Sequence, residues 1–177
     1  MGFKNKITNT CVDFAFRRTV NITPDFLKKH GIKGLILDID NTLATHDDPV
    51  PAEGIPEWLE NMRNSGIKLI IVSNNHDERV KRFAAPLGLD YICDGGKPLR
   101  RGYTAAMNKM GLTTNETAAV GDQLFTDVWG ANHSHIKMLF VQPIAPEPAS
   151  KRFIRFKRVL EKPFLPLKFV DDIKEKL

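Results

Sequence analysis

Sulfur is scarce in this 177-residue chain: its two cysteines, Cys11 and Cys93, are too few for a disulfide framework. Neither stands in the Cys-x-x-Cys or Cys/His spacing that holds zinc. Stability must therefore come from an ordinary core, which a domain of this length builds by burying roughly 70% of its unfolded surface. A reducing cytosol suits such a chain. Long apolar runs are missing as well. None approaches the ~18 residues of a membrane span, and Met1 to Cys11 carries polar residues where a signal peptide needs an apolar centre. Lys6 occupies the place where a myristoylation signal wants Ser or Thr. The expectation is a soluble, cytoplasmic chain whose membrane contact, if any, is peripheral on the inner face. Repeats and low-complexity segments are absent, and the five histidines lack zinc-ligand spacing.

Charge is present in moderate excess of one sign. Lys and Arg number 26 against 21 Asp and Glu, a net +5 with a pI near 9.2. That balance is compatible with a nucleic acid, an anionic membrane or a phosphorylated partner, and equally with a solvated surface.

The hydrophobic pattern is more decisive. Thr23-Pro24 reads as an N-cap followed by a first-turn proline, opening a short helix that Gly31 closes. Apolar runs suited to strands buried on both faces follow at Gly34–Asp38, Lys68–Ser73 and Thr117–Asp122, with shorter ones at Tyr91–Cys93 and Met138–Val141. Helical stretches at about 56–65, 77–87, 98–110 and 124–132 separate or follow them. Strands alternating with helices predict an α/β fold, a doubly wound parallel sheet of Rossmann-like type. Pro143, Pro146 and Pro148 punctuate the end of the last strand. The expected organisation is a sheet domain over residues 1–149, with 150–177 as its basic, amphipathic appendage.

In such a sheet, ligands bind beyond the carboxyl ends of the strands. The polar residues there are Asp38, Ser73 and Asp122, with Lys97 just after the short Tyr91 run. Successive members are about 25–35 residues apart, the length of one strand-helix-strand unit, so all four can converge on one crevice. Asp38 and Asp40 are spaced to point the same way from an extended segment. Two like charges side by side are costly without a cation, and with Asp122 they form a hard oxygen cage suited to magnesium. Taken alone, an Asp-x-Asp pair reads equally well as a loop that caps a helix.

The ordered set Asp38-Ile39-Asp40-Asn41-Thr42, Ser73-Asn74-Asn75, Gly96-Lys97-Pro98 and Gly121-Asp122-x4-Asp127 resembles the four motifs of the haloacid dehalogenase superfamily over about residues 33–142. The resemblance implies a HAD-like Rossmannoid fold and Mg2+ as cofactor. It implies that Asp38 attacks phosphorus to give an aspartyl phosphate, and that Asp40 protonates the leaving alcohol and then activates water. Ser73, Asn74, Thr42 and Lys97 would contact the phosphoryl group, Lys97 by neutralising it together with Asp38. Asp38, Asp122 and the Asp40 main-chain carbonyl would hold the metal, with Asp127 orienting Lys97 or a metal-bound water. An Asp at position 40 favours phosphatase or phosphomutase chemistry over dehalogenase or P-type ATPase chemistry. The interval from Leu43 to Trp58 is too short for a helical cap domain, so the site should be capless and open.

An open site excludes water poorly unless a large substrate serves as its lid. Lys151, Arg155, Arg158 and Lys162 recur on one face of a helix with Phe153, Phe156 and Leu160 roughly opposite. Such a helix either docks its apolar face on the sheet domain, leaving the basic face solvated, or meets an anionic membrane through Lys151–Lys168. With Asn21-Ile22-Thr23-Pro24 and Asp122-Gln123-Leu124-Phe125-Thr126-Asp127-Val128 included, nearly the whole chain is similar to the YqeG-type branch of subfamily IIIA, related to phosphatidylglycerophosphate phosphatases. That implies a phosphorylated membrane lipid of phospholipid synthesis as substrate. The alternatives are a soluble phosphatase for a small sugar phosphate or nucleotide, and a nucleic-acid-binding module without turnover. An intact acidic site argues against the last, and no nucleic-acid partner is expected.

Overall fold

The structure, a computed structural model, describes residues 3–5, 10–46 and 48–172. Its main sheet has six parallel strands in the order β3-β8-β7-β4-β5-β6. These are β3 (Phe14–Phe16), β4 (Gly34–Leu37), β5 (Lys68–Val72), β6 (Asp90–Ile92), β7 (Thr117–Gly121) and β8 (Lys137–Val141). A small antiparallel ribbon, β1 (Phe3–Asn5) with β2 (Thr10–Val12), precedes them. Helices α1 (Pro24–Lys29), α2 (Ile55–Asn64) and α3 (Asp77–Ala84) cover one face, while α4 (Arg100–Met110) and α5 (Trp129–His133) cover the other.

The period-two geometry of a strand divides the core. Leu35, Leu37, Ile71 and Val120 point into the first layer with Leu27, Trp58 and Phe83; Ile36, Ile70, Val72 and Ala119 point into the second with Tyr103 and Ala131. Burial on both faces is why these strands read as unbroken apolar runs. The expected α/β doubly wound sheet is therefore present. The Thr23 hydroxyl accepts from the Phe26 N–H at 3.2 Å and opens α1, and Gly31 follows its last turn at φ +69°.

Three local features depart from the pattern. β3 was not anticipated: it is three residues long and pairs only with β8 at the sheet edge. The helix expected over 77–87 ends at Ala84 and continues as one 3-10 turn, Ala85–Leu87, because Pro86 has no N–H to donate. The helix expected over 124–132 is a wide π turn, Leu124–Val128, running into α5.

The sheet order places the site. β4 is central, with β5 on one side and β7 on the other, and the chain reverses its winding between β4 and β7. Leu37 is level with Ile71 and Val120, so residues 38, 73 and 122 all emerge within one row of each other at the carboxyl edge. Between β4 and α2 lie only residues 38–54, and between β5 and α3 only 73–76; neither connection carries an inserted domain.

The chain beyond 150 forms α6 (Arg152–Glu161) and then returns to the sheet, where Phe169 is buried and the Val170 N–H donates to the Ala15 carbonyl at 2.8 Å. Of the two dockings open to α6, the structure reverses the apolar one. Phe153 (69% exposed), Phe156 (60%), Val159 and Leu160 face outward, while Arg158 and Glu161 face the domain. The physical reason lies in the domain surface beneath, where carboxylates rather than apolar side chains await the helix.

Candidate active site

Asp38, Asp40, Thr42, Ser73, Lys97, Asp122 and Asp127 are all buried and converge at the end of β4 and β7. Lys97 is the centre of charge. Its Nζ donates to Asp38 Oδ1 at 2.5 Å and to Asp127 Oδ1 at 2.7 Å. The lysine backbone is pinned by Asn74, which accepts from the Lys97 N–H at 2.7 Å and donates to its carbonyl at 3.0 Å. Asn74 thus serves Lys97 directly. Burial would lower the ammonium, but Asp127 and Asp38 outweigh it and hold Lys97 firmly charged.

Asp38 ends β4, where its N–H donates to the Val120 carbonyl at 3.0 Å. Burial pushes its carboxyl up to about 7; Lys97 pulls it down, and the neighbouring Asp127 pushes it up again. Asp122 is fully buried, and its carboxyl is likewise raised by burial, with Arg158 opposing. One carboxylate oxygen each from Asp38, Asp122 and Asp127 lies within 4.8 Å of the other two. Three buried acids stand close together beside Lys97 and Arg158, and hard oxygen donors at this spacing fit a divalent cation.

Asp127 reaches this cluster because of the π turn. Gln123 N–H donates to Asp127 Oδ2 at 3.1 Å, folding the carboxylate back over Gly121. A Cβ at Gly121 would lie 2.5 Å from Asp127 Cγ, so the close approach requires glycine there. Extra-wide turns of this kind recur at functional sites because they re-aim one side chain.

Asp40 is held apart from the cluster. Its two carboxylate oxygens accept from Arg79 Nη2 at 2.6 Å and Asn75 Nδ2 at 2.7 Å. Burial would raise its carboxyl, but these two bonds prevail and hold it below the usual range. Ser73 is buried and accepts from the Asn75 N–H at 3.1 Å. The Thr42 hydroxyl faces Asp122 Oδ1 at 3.3 Å, and its carbonyl accepts from Thr19 at 2.7 Å, which ties the loop after β4 to the 19–21 turn.

Reading the motifs alone missed four members of this site. Arg79 arrives from α3, Glu147 from the loop after β8, and Arg158 and Glu161 from α6. Only Arg158 gave any signal, as one of several basic residues at helical spacing. His46 lies against Glu147, with Nδ1 3.5 Å from Oε2.

The parallel sheet thus carries an acid–lysine cluster at its winding reversal, where ligands bind in folds of this kind, and comparison with known proteins supplies the class. The model of the haloacid dehalogenase-like hydrolases matches residues 21–135. The chain belongs to that family. It is 41% identical over 146 residues to the probable phosphatase YqeG of Bacillus subtilis, covering 82% of this chain and 83% of the relative. Among solved structures, the 4-nitrophenylphosphatase of Thermotoga maritima superposes with a TM-score of 0.57 at 14% identity, over 70% of this chain and 91% of that one. The cobalt-bound deoxy-D-mannose-octulosonate 8-phosphate phosphatase of Haemophilus influenzae gives 0.52 at 20%, over 67% and 73%. Within the family, this chain is a phosphatase. Among the described residues, no helix is long and apolar enough to cross a membrane.

Proposed function

We propose that the enzyme is a Mg2+-dependent phosphomonoesterase that dephosphorylates phosphatidylglycerophosphate at the cytoplasmic face of a membrane. The observation that carries the chemistry is the Asp38–Lys97–Asp127 contact beside Asp122. Mg2+ held by Asp38, Asp122 and the Asp40 carbonyl would offset charge between Asp38 and the phosphoryl group.

The residues divide the work as follows. An Asp38 carboxylate oxygen attacks phosphorus, and the ester P–O bond breaks with its electron pair leaving on the alcohol oxygen. Asp40 supplies the proton that this oxygen takes up. Its carboxyl is held low by Arg79, so an incoming anionic substrate that draws Arg79 away would let Asp40 carry that proton. Asp40 then removes a proton from water, whose oxygen attacks phosphorus; the Asp38–phosphorus bond breaks, freeing phosphate and restoring the carboxylate. Lys97, steered by Asp127, balances the charge on the phosphoryl oxygens, and Ser73 donates to one of them.

Two features support a lipid substrate. A hollow of about 530 Å³ beside Glu147 and Arg158 is lined by Arg155, Lys162 and apolar Pro143, Ile144 and Pro146, a mixture suited to an anionic group attached to a lipid. The outer ridge of α6 presents exposed phenylalanines among exposed Arg152, Arg155 and Lys162, the composition of an interfacial helix. The test is phosphate release from phosphatidylglycerophosphate in anionic vesicles beside a panel of soluble phosphomonoesters, using wild type and Phe153→Ser/Phe156→Ser. Lipid-selective release that the double variant loses, with soluble turnover kept, supports the reading. Preference for a soluble ester, unchanged in the variant, replaces it with a soluble sugar-phosphate or nucleotide phosphatase.

A further inference from the structure

Arg158 is the point at which α6 enters the acid cluster. Its guanidinium is surrounded by carboxylates: Nε and Nη2 donate to Glu147 Oε1 at 3.0 and 2.9 Å, and Nη1 donates to Glu161 Oε2 at 3.2 Å. The remaining directions go to Asp122, with Nη1 donating to its main-chain carbonyl at 2.7 Å and Nη2 to Oδ2. The arginine side chain is 16% exposed and that of Asp122 is 0%. Glu147 and Glu161 are themselves anchored on the loops that carry the acids. Asn41, in the nucleophile loop, donates to Glu147 at 3.1 Å, and the Phe125 N–H, in the π turn, donates to Glu161 at 3.2 Å.

Asp122 therefore divides its carboxylate. Oδ2 belongs to Arg158, and Oδ1 is left on the side of Thr42. From this we infer that Arg158 is a positioning residue for the divalent cation, fixing Asp122 so that one of its oxygens is presented beside Asp38 while Asp127 holds Lys97. A carboxylate gripped at one oxygen and at its own main-chain carbonyl has little rotamer freedom left to lose on binding. Partners that hold a metal-binding side chain in place are typically worth 10–100-fold in metal affinity.

A positive group beside a cation could instead compete with it. The geometry opposes that outcome, because Glu147 and Glu161 face the same guanidinium and offset its field at the cluster. The inference rests on the phosphatase reading only for the identity of the cation, and it is independent of the ester hydrolysed.

The experiment is calorimetric titration of Mg2+ into metal-stripped, full-length protein, comparing wild type, Arg158→Ala, Arg158→Lys and Lys81→Ala. The expected dissociation constant rises 10–100-fold in Arg158→Ala, is partly restored in Arg158→Lys, and is unchanged in Lys81→Ala, an exposed position on α3. Circular dichroism checks that α6 persists. Arg158→Ala binding as tightly as wild type, or more tightly, overturns the inference, as does a wild-type protein that binds no Mg2+. If Arg158→Ala does not fold, Arg158→Lys and Glu147→Gln decide the matter, and wild-type affinity in both overturns it. Failure of lipid turnover alongside an Arg158-dependent Mg2+ affinity would remove the substrate proposal alone.

Discussion

Asp38 and its neighbours show what a buried carboxylate costs. With its folded carboxyl raised to about 7 from an ordinary 3.8, the metal-free protein holds a proton that the unfolded chain has already released. Stability therefore falls as pH rises from about 4 through 7, by on the order of 2–4 kcal/mol at roughly 1.4 kcal/mol per unit. Asp38→Asn removes the effect and leaves Lys97 its Asp127 partner. In metal-free melts the variant should be more stable than wild type at pH 8 and converge with it near pH 4.5; parallel profiles would contradict the assignment. Gly121→Ala should displace Asp127 and lower turnover at least tenfold at saturating Mg2+, with kcat falling more than KM rises. These acids were legible in the sequence because each ends or follows an apolar run at a fixed spacing. Arg79 and Glu147 were not, because a helix or loop residue reaches a site only through the packing of its element, and no motif encodes that.

Elements were readable in proportion to their burial. β4, β5, β7 and β8 lie within a residue of their apolar runs since each is covered on both faces, and a run of that kind has few alternatives. β3 was invisible: three residues give no period, and what makes it a strand is its pairing with β8 and an aromatic contact. The Phe16 ring stands edge-on to Phe26 at 5.1 Å and is almost fully buried. Phe16→Ala should cost about 3–5 kcal/mol in urea unfolding. A loss under 1 kcal/mol would mean that the edge strand is dispensable. The π turn is indistinguishable from ordinary helix in the sequence because its residues are acceptable in either. The wide ring is selected by the Gln123–Asp127 bond and by the space over Gly121, both of them tertiary facts.

At the scale of the molecule, sequence periodicity found α6 but could not orient it. An amphipathic pattern says that two faces differ, and the usual inference buries the apolar one. Here the inner face meets Glu147 and Asp122, so charge is buried and Phe153, Phe156 and Leu167 (93% exposed) are left outside. The same helix thus offers its ridge outward and its arginine inward. A chain ending after Ser150 should lose hydrolysis of small soluble esters as well as of lipid, by at least tenfold even at high Mg2+, although none of Asp38, Asp40, Lys97 or Asp122 is missing. Retained soluble-ester activity in that chain would separate α6 from the chemistry.

The Arg158–Asp122 contact joins a late part of the polypeptide to acids laid down well before it. During synthesis the sheet and all four motifs leave the ribosome before Arg158 does, so a nascent or prematurely terminated product carries the full signature without the residue that steadies Asp122. Anything that removes α6 from the sheet domain, whether truncation or a cut in the proline-punctuated connector followed by release of the helix, takes away the Asp122 contact while leaving every motif in place.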